Sequence, residues 1–287
     1  MVSSTLAAIP IRLGISTCPN DTFAFHGLLT KSIDWRGLDF HVDLLDIQQL
    51  NEQLFKGEFD FAKASFHAAL LLADKCGVMP SGSALGFGVG PLLLAAQSGV
   101  QPEFGEHQRT LCPGEHTTAS LLFRLFYPGH TQIEQTVFSE IMPRLVQGQA
   151  DFGVCIHEGR FTWQRQGLGL VEDLGTRWEQ ETNLPLPLGG ILARRCLPSD
   201  VIQRAHAAIR DSIDFAIGNP AAALPTMRKY AQEFDDEVLM QHVHLYVNAW
   251  TRDLGKDGRR SLAELSKRAI AAGLISQGAE LTVFECG

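Results

Sequence analysis

The chain lacks the features that would place it in a metal-binding, redox-active or membrane-spanning class. Its six cysteines are scattered, and no two of them form a C-x-x-C pair, which disfavours a zinc knuckle or a redox dithiol. No apolar run reaches the roughly 18–20 residues that a membrane-spanning helix needs. The first stretch of the chain also lacks the basic segment of a signal peptide. We therefore expect reduced cysteines, a cytoplasmic location and no membrane partner.

The chain also lacks an excess of positive charge. Its 287 residues include 24 Lys and Arg against 32 Asp and Glu, which gives a formal net charge of -8. This balance gives no reason to expect nucleic acid or an anionic membrane as a partner. The charge of a single pocket can differ in sign from the net charge of the whole chain. An anionic small-molecule ligand therefore stays compatible with the composition.

Motifs for common cofactors and nucleophiles are missing as well. The chain has neither a G-x-S-x-G serine motif nor a G-x-x-x-x-G-K-[ST] phosphate loop. The glycine-rich stretch GFGVG at 86–90 precedes a predicted strand instead of joining a strand to a helix, so a nucleotide loop is disfavoured. We expect no cofactor and no metal.

What the chain does contain is a repeated alternation of strands and helices. Short β-rich runs, such as IRLGIS at 11–16 and FDFAKAS at 59–65, are each followed by a helical segment. The pattern restarts after residue 98, and from Ser199 onward the chain is mostly helical. This alternation predicts an α/β fold with two lobes, each a mostly parallel sheet flanked by helices.

No flexible linker separates the lobes, so we expect two strands to cross between them. The candidates are the apolar runs PLLLAAQ at 91–97 and GGILARR at 189–195, the second preceded by a predicted proline-rich loop. On this basis lobe 1 comprises residues 1–97 and 198–287, including the C-terminal helices, and lobe 2 comprises residues 98–197. A cleft between two lobes is a preferred ligand site.

Polar residues collect at the predicted carboxyl ends of four strands, and these ends should face the cleft. The loops precede helices, whose free N–H groups favour an anionic or oxygen-rich ligand. Helix capping is the commoner explanation for any one of these loops, whereas the convergence of four loops favours a binding site. The residues at these strand ends are Ser16, Thr17, Cys18, Pro19, Asn20, Asp21, Lys63, Ser65, His116, Thr117, Thr118, Ala119 and His157.

His157 ends an apolar strand-like run and allows three interpretations. A helical zinc motif would need a second histidine four residues on, where the chain has Phe161, so a metal ligand is disfavoured. A structural histidine bonded to the backbone and a general acid or base both stay open, since the pKa of imidazole lies near neutrality. We expect Gly159 to allow the turn that follows and Glu158 to be a rim charge. Arg160 could bind a carboxylate or form a surface ion pair.

Four other histidines leave further roles open. His26 and His67 lie near the starts of predicted helices, where they could line the cleft or be partly buried and hydrogen-bonded. His242 and His244 are two residues apart in a helical segment and therefore do not share a helix face. We do not expect them to form a metal-binding pair.

Five stretches together resemble the 1,4-dihydroxy-6-naphthoate synthase family, which belongs to menaquinone biosynthesis by the futalosine pathway. They are STCPNDTFAFHGLL, GEFDFAKASFHAAL, PGEHTTASLLFRLF, QADFGVCIHEGRFTW and LPLPLGGILARR. The resemblance extends from about residue 11 to at least residue 260. It implies the two-lobed, type II periplasmic-binding-protein-like fold, which chorismate dehydratase and many transport receptors share.

The resemblance implies a cofactor-independent carbon–carbon lyase. Such an enzyme would convert cyclic dehypoxanthinyl futalosine to 1,4-dihydroxy-6-naphthoate and dihydroxyacetone, with His157 as the catalytic general base. The family's substrate contacts fall on Lys63, Ala64, Ser65, Thr118 and Ala119. We add Asn20, from the first strand-end loop, as a candidate substrate contact.

Two other functions stay open on the sequence. A solute-binding protein for a small carboxylate could use the same fold, although no export signal or lipoprotein cysteine is evident. Chorismate dehydratase is the second, and the CPNDTF and CIHEGRF stretches argue against it. In each case the expected partner is a small-molecule carboxylate. The sequence leaves open the oligomeric state, including a homodimer, the extent of lobe closure and the substrate hydroxyl that loses its proton.

Overall fold

A computed structural model describes residues 8–157, 159–231 and 235–286. These residues form two mixed β-sheets, each flanked by α-helices, and the chain passes between the sheets twice. The alternation of strands and helices is therefore present as predicted. Within the described ranges, no helix combines the length and the apolar character that crossing a bilayer requires.

The first sheet has the strand order β2-β1-β3-β11-β4, and β5 pairs with another stretch of β11. Its strands are β1 Ile9–Ser16, β2 Leu38–Leu45, β3 Phe61–Ser65, β4 Cys76–Val78, β5 Ala84–Gly86 and β11 Leu186–Arg194. Strand β1 runs parallel to both β2 and β3, whereas β11 is antiparallel to β3, β4 and β5. The parallel part of this sheet therefore comprises its first three strands.

The second sheet has the order β10-β6-β9-β7-β8. Its strands are β6 Leu92–Ala95, β7 Arg109–Cys112, β8 Gln132–Gln135, β9 Phe152–Cys155 and β10 Gly169–Asp173. Strand β7 is parallel to β8 and β9, and β6 is antiparallel to β9 and β10. Each sheet thus combines a parallel set with one antiparallel strand from a crossing segment.

The two crossing segments lie in the sheets that they enter. Strand β6 pairs in the second sheet and β11 in the first, so sheet membership changes before 92 and before 186. The sequence interpretation placed these changes at 97/98 and 197/198, after each crossing strand. An apolar run has the same pattern in either sheet, and only tertiary pairing decides which sheet it joins.

The helices pack on both sheets, and most of them come directly after a strand in the chain, as predicted. Their bounds are α1 Pro19–Ala24, α2 His26–Leu29, α3 Ile47–Phe55, α4 Phe66–Leu71, α5 Thr118–Phe126, α6 Phe138–Val146, α7 Gly159–Thr162, α8 Leu174–Thr182, α9 Ser199–Gly218, α10 Pro220–Tyr230, α11 Asp236–Tyr246, α12 Ala249–Arg252 and α13 Gly255–Ala271.

Helix α8 replaces part of the predicted proline-rich loop. The Asp173 side chain accepts hydrogen bonds from the N–H groups of Gly175 and Thr176 and so caps the helix. The ion pair between Arg177 and Glu181 adds support one turn later. Pro185 lies after the last residue of α8, Thr182, and therefore does not interrupt the helix.

Helix α9, the first helix after the second crossing segment, packs on the first sheet. Side chains of α9, including Val201 and Ile209, share one apolar core with Leu13 and Phe61 of the sheet. Helix α11 lies farther along the chain and reaches the space between the two sheets, where two of its side chains line the cavity described below.

Candidate active site

A cavity that is partly open to solvent lies between the two sheets, and its empty space, with the open part included, is about 680 Å³. Its walls come from strand ends, helix starts, both crossing segments and α11. The lining residues are Ser16, Cys18, Asn20, Asp21, Ile47, Lys63, Ser65, Ala84, Val89, Gly90, Pro91, Thr117, Thr118, Ala119, Ile156, His157, Leu188, Gly189, His242 and Tyr246. The wall of the cavity therefore combines polar groups with a substantial apolar surface.

Six of the seven predicted site residues line this cavity, and Ala64 is the exception. Because neighbouring strand residues face opposite sides of a sheet, Lys63 and Ser65 face the cavity and Ala64 faces the core beneath. The Ala64 side chain is fully buried among apolar residues. A direct substrate contact through that side chain is therefore not compatible with the structure.

His157 enters the cavity from a left-handed backbone conformation. Strand β9 ends at Cys155, and His157 has a φ of 56°. The turn after the strand is therefore made by His157 itself, whereas the sequence suggested that Gly159 would provide it. Gly159 instead begins α7, with its N–H bonded to the Ile156 carbonyl. A residue other than glycine whose backbone is held in this uncommon conformation is often part of a functional site.

Three of the described side chains with contacts to the His157 ring are those of Phe138, His242 and Cys18. Phe138 presents its edge with the ring centroids 4.8 Å apart, and the His242 ring is nearly parallel at 6.2 Å. Cys18 Sγ lies 3.5 Å from Nδ1 and 3.6 Å from Nε2 of His157. Because the two distances are nearly equal, the sulfur lies over the ring face and not in line with either nitrogen. The thiol therefore packs on the imidazole and does not act as its in-plane hydrogen-bond partner.

His242 is the functional candidate that the sequence interpretation missed. It is fully buried, and burial followed by the nearby His157 lowers its pKa to about 3. The imidazole Nε2 lies 3.0 Å from Asn20 Oδ1. A usable signal was present, since Leu239, His242, Val243 and Tyr246 follow helical spacing and form the buried face of α11.

Lys63 and Asp21 form a buried ion pair in the cavity wall. Lys63 Nζ donates to Asp21 Oδ1 at 2.7 Å and to the Gly82 carbonyl at 3.0 Å, and its side chain is 6% exposed. Asp21 also accepts from the Ser16 hydroxyl and from the Asn20 amide. The lysine charge is therefore balanced by Asp21, which reduces the attraction that Lys63 can offer to an anionic ligand.

The N-terminus of α5 faces the cavity with its first residues, Thr118 and Ala119. Thr117 caps the helix by accepting from the Ser120 N–H. The Thr118 hydroxyl donates to the Leu188 carbonyl at 2.5 Å, which ties α5 to the second crossing segment. Helical geometry leaves the N–H groups of Thr118 and Ala119 without a carbonyl partner inside the helix. These two backbone groups, and not the Thr118 hydroxyl, are suited to an anionic ligand.

Ser65 keeps a donor for the cavity. Asn51 accepts from the Ser65 N–H through Oδ1 and donates to Ser65 Oγ through Nδ2, at 3.0 and 3.3 Å. Because the serine oxygen accepts from Asn51, its own O–H is oriented to donate elsewhere. Asn51 is fully buried and also lies 3.5 Å from the His116 carbonyl, so it joins the two sides of the cavity.

Arg160 holds the loop that carries His157. One guanidinium nitrogen donates to the Gly90 carbonyl and another to Asp173 Oδ2, both at 2.7 Å. Arg160 and Asp173 are each only 18% exposed, so this pair is neither a surface ion pair nor a free carboxylate clamp. A methyl group on Gly90 would lie 2.2 Å from Gly175 Cα, so the first crossing segment and α8 are in direct contact at this point.

The other predicted histidines have structural partners. His26 Nδ1 is 2.8 Å from the Thr226 hydroxyl, and its ring stacks on Phe215. It does not line the cavity. His67 Nδ1 donates to the Thr117 carbonyl at 3.3 Å, and burial lowers the pKa of His67 to about 4. Glu158 lies outside the described residues.

The low pKa values of His67 and His242 predict that the fold loses stability on acidification. Both imidazoles are neutral when folded and take up protons near their ordinary pKa of 6.5 when unfolded. The stabilisation is complete above pH 6.5 and is lost as the pH falls toward the folded values. We expect these two histidines together to lower the free energy of unfolding by on the order of 5 kcal/mol between pH 7.5 and 4.5.

Urea unfolding at several pH values measures this loss. His67→Gln should unfold with a shallower pH dependence than the wild type between pH 6.5 and 4.5. His41→Gln, at a side chain that is 65% exposed, is the matched control and should keep the wild-type slope. Equal slopes for His67→Gln and the wild type would contradict the assignment.

No group of three or more His, Cys, Asp or Glu side chains that could hold a metal ion occurs among residues 8–157, 159–231 and 235–286. Among the described neighbours of His157 are a thiol, a phenyl ring and a second imidazole. What this arrangement offers chemically is an imidazole in a partly apolar cavity, together with hydroxyl and backbone N–H donors.

Comparison with known proteins gives consistent matches over most of the chain. A family described as "Menaquinone biosynthesis" matches residues 11–271. A protein of Thermus thermophilus named "1,4-dihydroxy-6-naphtoate synthase" is 42% identical over 264 residues, covering 92% of this chain and 95% of the relative. A Streptomyces coelicolor protein of the same name is 39% identical over 277 residues, covering 94% and 96%.

Solved structures extend the comparison to the fold. A protein from Archaeoglobus fulgidus superposes with a TM-score of 0.87 at 32% identity, covering 95% of this chain and all of that one (100%). The alkanesulfonate-binding protein from Xanthomonas axonopodis superposes with a TM-score of 0.71 at 13% identity, covering 97% and 99%. The second likeness shows the fold alone. It confirms the predicted periplasmic-binding-protein-like architecture of two sheets flanked by helices.

Proposed function

Because the chain belongs to the menaquinone biosynthesis family, we propose that it converts cyclic dehypoxanthinyl futalosine to 1,4-dihydroxy-6-naphthoate and dihydroxyacetone. In this proposal the protein is a carbon–carbon lyase, and His157 is its general base. The observation that carries the proposal is the presence of His157 in the wall of a cavity that also holds the start of α5 and the Ser65 hydroxyl.

The substrate carboxylate is assigned to the N-terminus of α5. The N–H groups of Thr118 and Ala119 have no partner inside the helix and lie where the helix dipole favours an anion. Ser65 can add its O–H as a donor. Lys63 contributes less than expected, because Asp21 already balances its charge at 2.7 Å.

The apolar part of the cavity is assigned to the fused ring system of the substrate. Ile47, Val89, Ile156 and Leu188 supply aliphatic surface between the polar ends. A flat, largely apolar ring can replace water there without leaving polar groups unpaired. The polar, sugar-derived part of the substrate would then lie toward His157.

The proposed reaction begins with a proton transfer to His157 and includes the cleavage of a carbon–carbon bond. His157 takes the proton of a hydroxyl on the sugar-derived ring, and the electrons of that O–H bond form a carbonyl. The adjacent carbon–carbon bond breaks, its electrons pass into the ring system that becomes the aromatic naphthalene, and the proton held by His157 returns to the products. Closure of the two lobes would exclude water during this step. Proton transfer to a positioned imidazole typically contributes about 100- to 10,000-fold to such a rate.

Arg160→Gln should reduce turnover although Arg160 does not line the cavity. The variant loses the charged bonds to Asp173 and the Gly90 carbonyl, and with them the anchor of the loop that carries His157. We expect kcat to fall about tenfold or more, because small displacements of a catalytic group are costly. The free energy of unfolding should fall by about 1–3 kcal/mol.

Steady-state kinetics and urea unfolding test this prediction. Arg165→Gln is the matched control, since Arg165 is an exposed arginine only five residues along the chain. The control should stay within twofold of the wild-type kcat. Wild-type kinetics for Arg160→Gln would show that the anchor is not needed.

The proposed function is tested by incubating the purified protein with cyclic dehypoxanthinyl futalosine and analysing the mixture by mass spectrometry. Appearance of the naphthoate supports the lyase. Absence of product together with tight binding of another small carboxylate would favour a solute-binding protein instead. Dehydration of chorismate by the same preparation would favour the third alternative, chorismate dehydratase.

A further inference from the structure

His242 lies against the proposed base, and its role goes beyond filling the core. The two imidazole rings are 6.2 Å apart between centroids and only 20° from parallel. They come from distant parts of the chain, His157 after β9 and His242 from α11. The inference below rests on the proposed function, because it assigns a partner to the proposed base.

The directions of the hydrogen bonds behind His242 are determined by Lys63. The lysine ammonium only donates, so Asp21 Oδ1 is an acceptor. Asn20 must then present its amide N–H₂ to Asp21, at 2.9 Å. Its Oδ1 is left facing His242 Nε2 at 3.0 Å, and that nitrogen must carry the hydrogen. The chain of bonds thus selects one neutral tautomer of His242.

The surroundings of His242 keep it uncharged. Its ring is fully buried, and burial holds its pKa far below that of an exposed histidine. The titratable groups that face it are His157 and Tyr246, whose ring centroid is 4.5 Å away. Beyond Asn20, the charges of Asp21 and Lys63 balance each other. His242 therefore stays uncharged beside His157.

We propose that His242 is a positioning residue for the proposed base. Held by Asn20 as the tautomer with hydrogen on Nε2, His242 presents an uncharged ring to His157. It thereby fixes the orientation of His157 and leaves His157 as the member of the stacked pair that takes the substrate proton.

Two substitutions test separately the ring of His242 and its hydrogen bond to Asn20. His242→Phe keeps a ring that can stack but loses the bond to Asn20, and His242→Gln keeps a donor for Asn20 but loses the ring. Each should lower kcat about tenfold or more while KM changes less than threefold. His244→Gln is the matched control, because His244 lies on the exposed face of the same helix. It should retain kcat within twofold.

Asn20→Asp tests the tautomer without removing either histidine. A carboxylate at this position would accept from His242 Nε2 and favour the protonated form of His242. The pKa of His242 should therefore rise toward that of an exposed histidine. NMR titration of the histidine ring signals in the ligand-free protein measures this shift.

The outcomes are distinct. Wild-type kcat for either His242→Phe or His242→Gln would overturn the proposal, as would an unchanged His242 titration in Asn20→Asp. Failure of the wild type to cleave cyclic dehypoxanthinyl futalosine would instead reject the proposed function. The NMR titration would still decide whether the residue at position 20 controls the protonation of His242.

Discussion

Replacing His157 by asparagine should lower kcat by about 100- to 10,000-fold, the usual contribution of a positioned general base. Asparagine is the informative choice because His157 has a φ of 56°, and asparagine tolerates the left-handed region better than most residues. A loss of activity in this variant therefore reports the missing imidazole and not backbone strain. The thermal unfolding midpoint should change by only a few degrees.

Product binding provides the control for this substitution. The proposed carboxylate site at Thr118 and Ala119 lies on a different element from His157, so the dissociation constant for 1,4-dihydroxy-6-naphthoate should stay within threefold of wild type. A His157→Asn enzyme with kcat within tenfold of wild type would contradict the assignment of the base.

Lys63→Met should destabilise the fold by about 3–5 kcal/mol, because it leaves the Asp21 carboxylate buried without its counter-charge. Asp21 is 2% and Lys63 5% exposed, so solvent cannot replace the missing partner. Methionine has a similar length and keeps the packing of the lysine stem. Urea unfolding at pH 7 measures the change.

A double-mutant cycle identifies the cause of this destabilisation. Adding Asp21→Asn to Lys63→Met removes the unpaired charge and should recover part of the lost stability. Lys267→Met is the matched control at a lysine that is 78% exposed, and it should change stability by less than about 0.5 kcal/mol. Equal effects of Lys63→Met and Lys267→Met would show that the buried pair does not stabilise the fold.

The candidate site could be predicted from the sequence wherever local periodicity controls placement. Alternation along β3 requires Lys63 and Ser65 to face the same side, and both line the cavity. The ends of the parallel strands β1, β3, β7 and β9 bring their loops together, which explains why polar residues from four loops meet. The same alternation explains why Ala64 does not reach the cavity.

Residues that depend on tertiary pairing could not be placed in this way. No local pattern indicates that α11 lies over the cavity, so His242 was assessed only against its neighbour His244. The ion pair between Lys63 and Asp21 joins a strand to a helix 42 positions away, and the Arg160 anchor depends on where the first crossing segment passes. These contacts determine charge and orientation at the site, and they exist only in the folded chain.

The most direct test of the account is a time course of both products from cyclic dehypoxanthinyl futalosine, with wild type and His157→Asn measured side by side. The account predicts that 1,4-dihydroxy-6-naphthoate and dihydroxyacetone appear in equal amounts with wild type and about 100- to 10,000-fold more slowly with His157→Asn. Absence of both products with wild type, or equal rates for the two proteins, would contradict it.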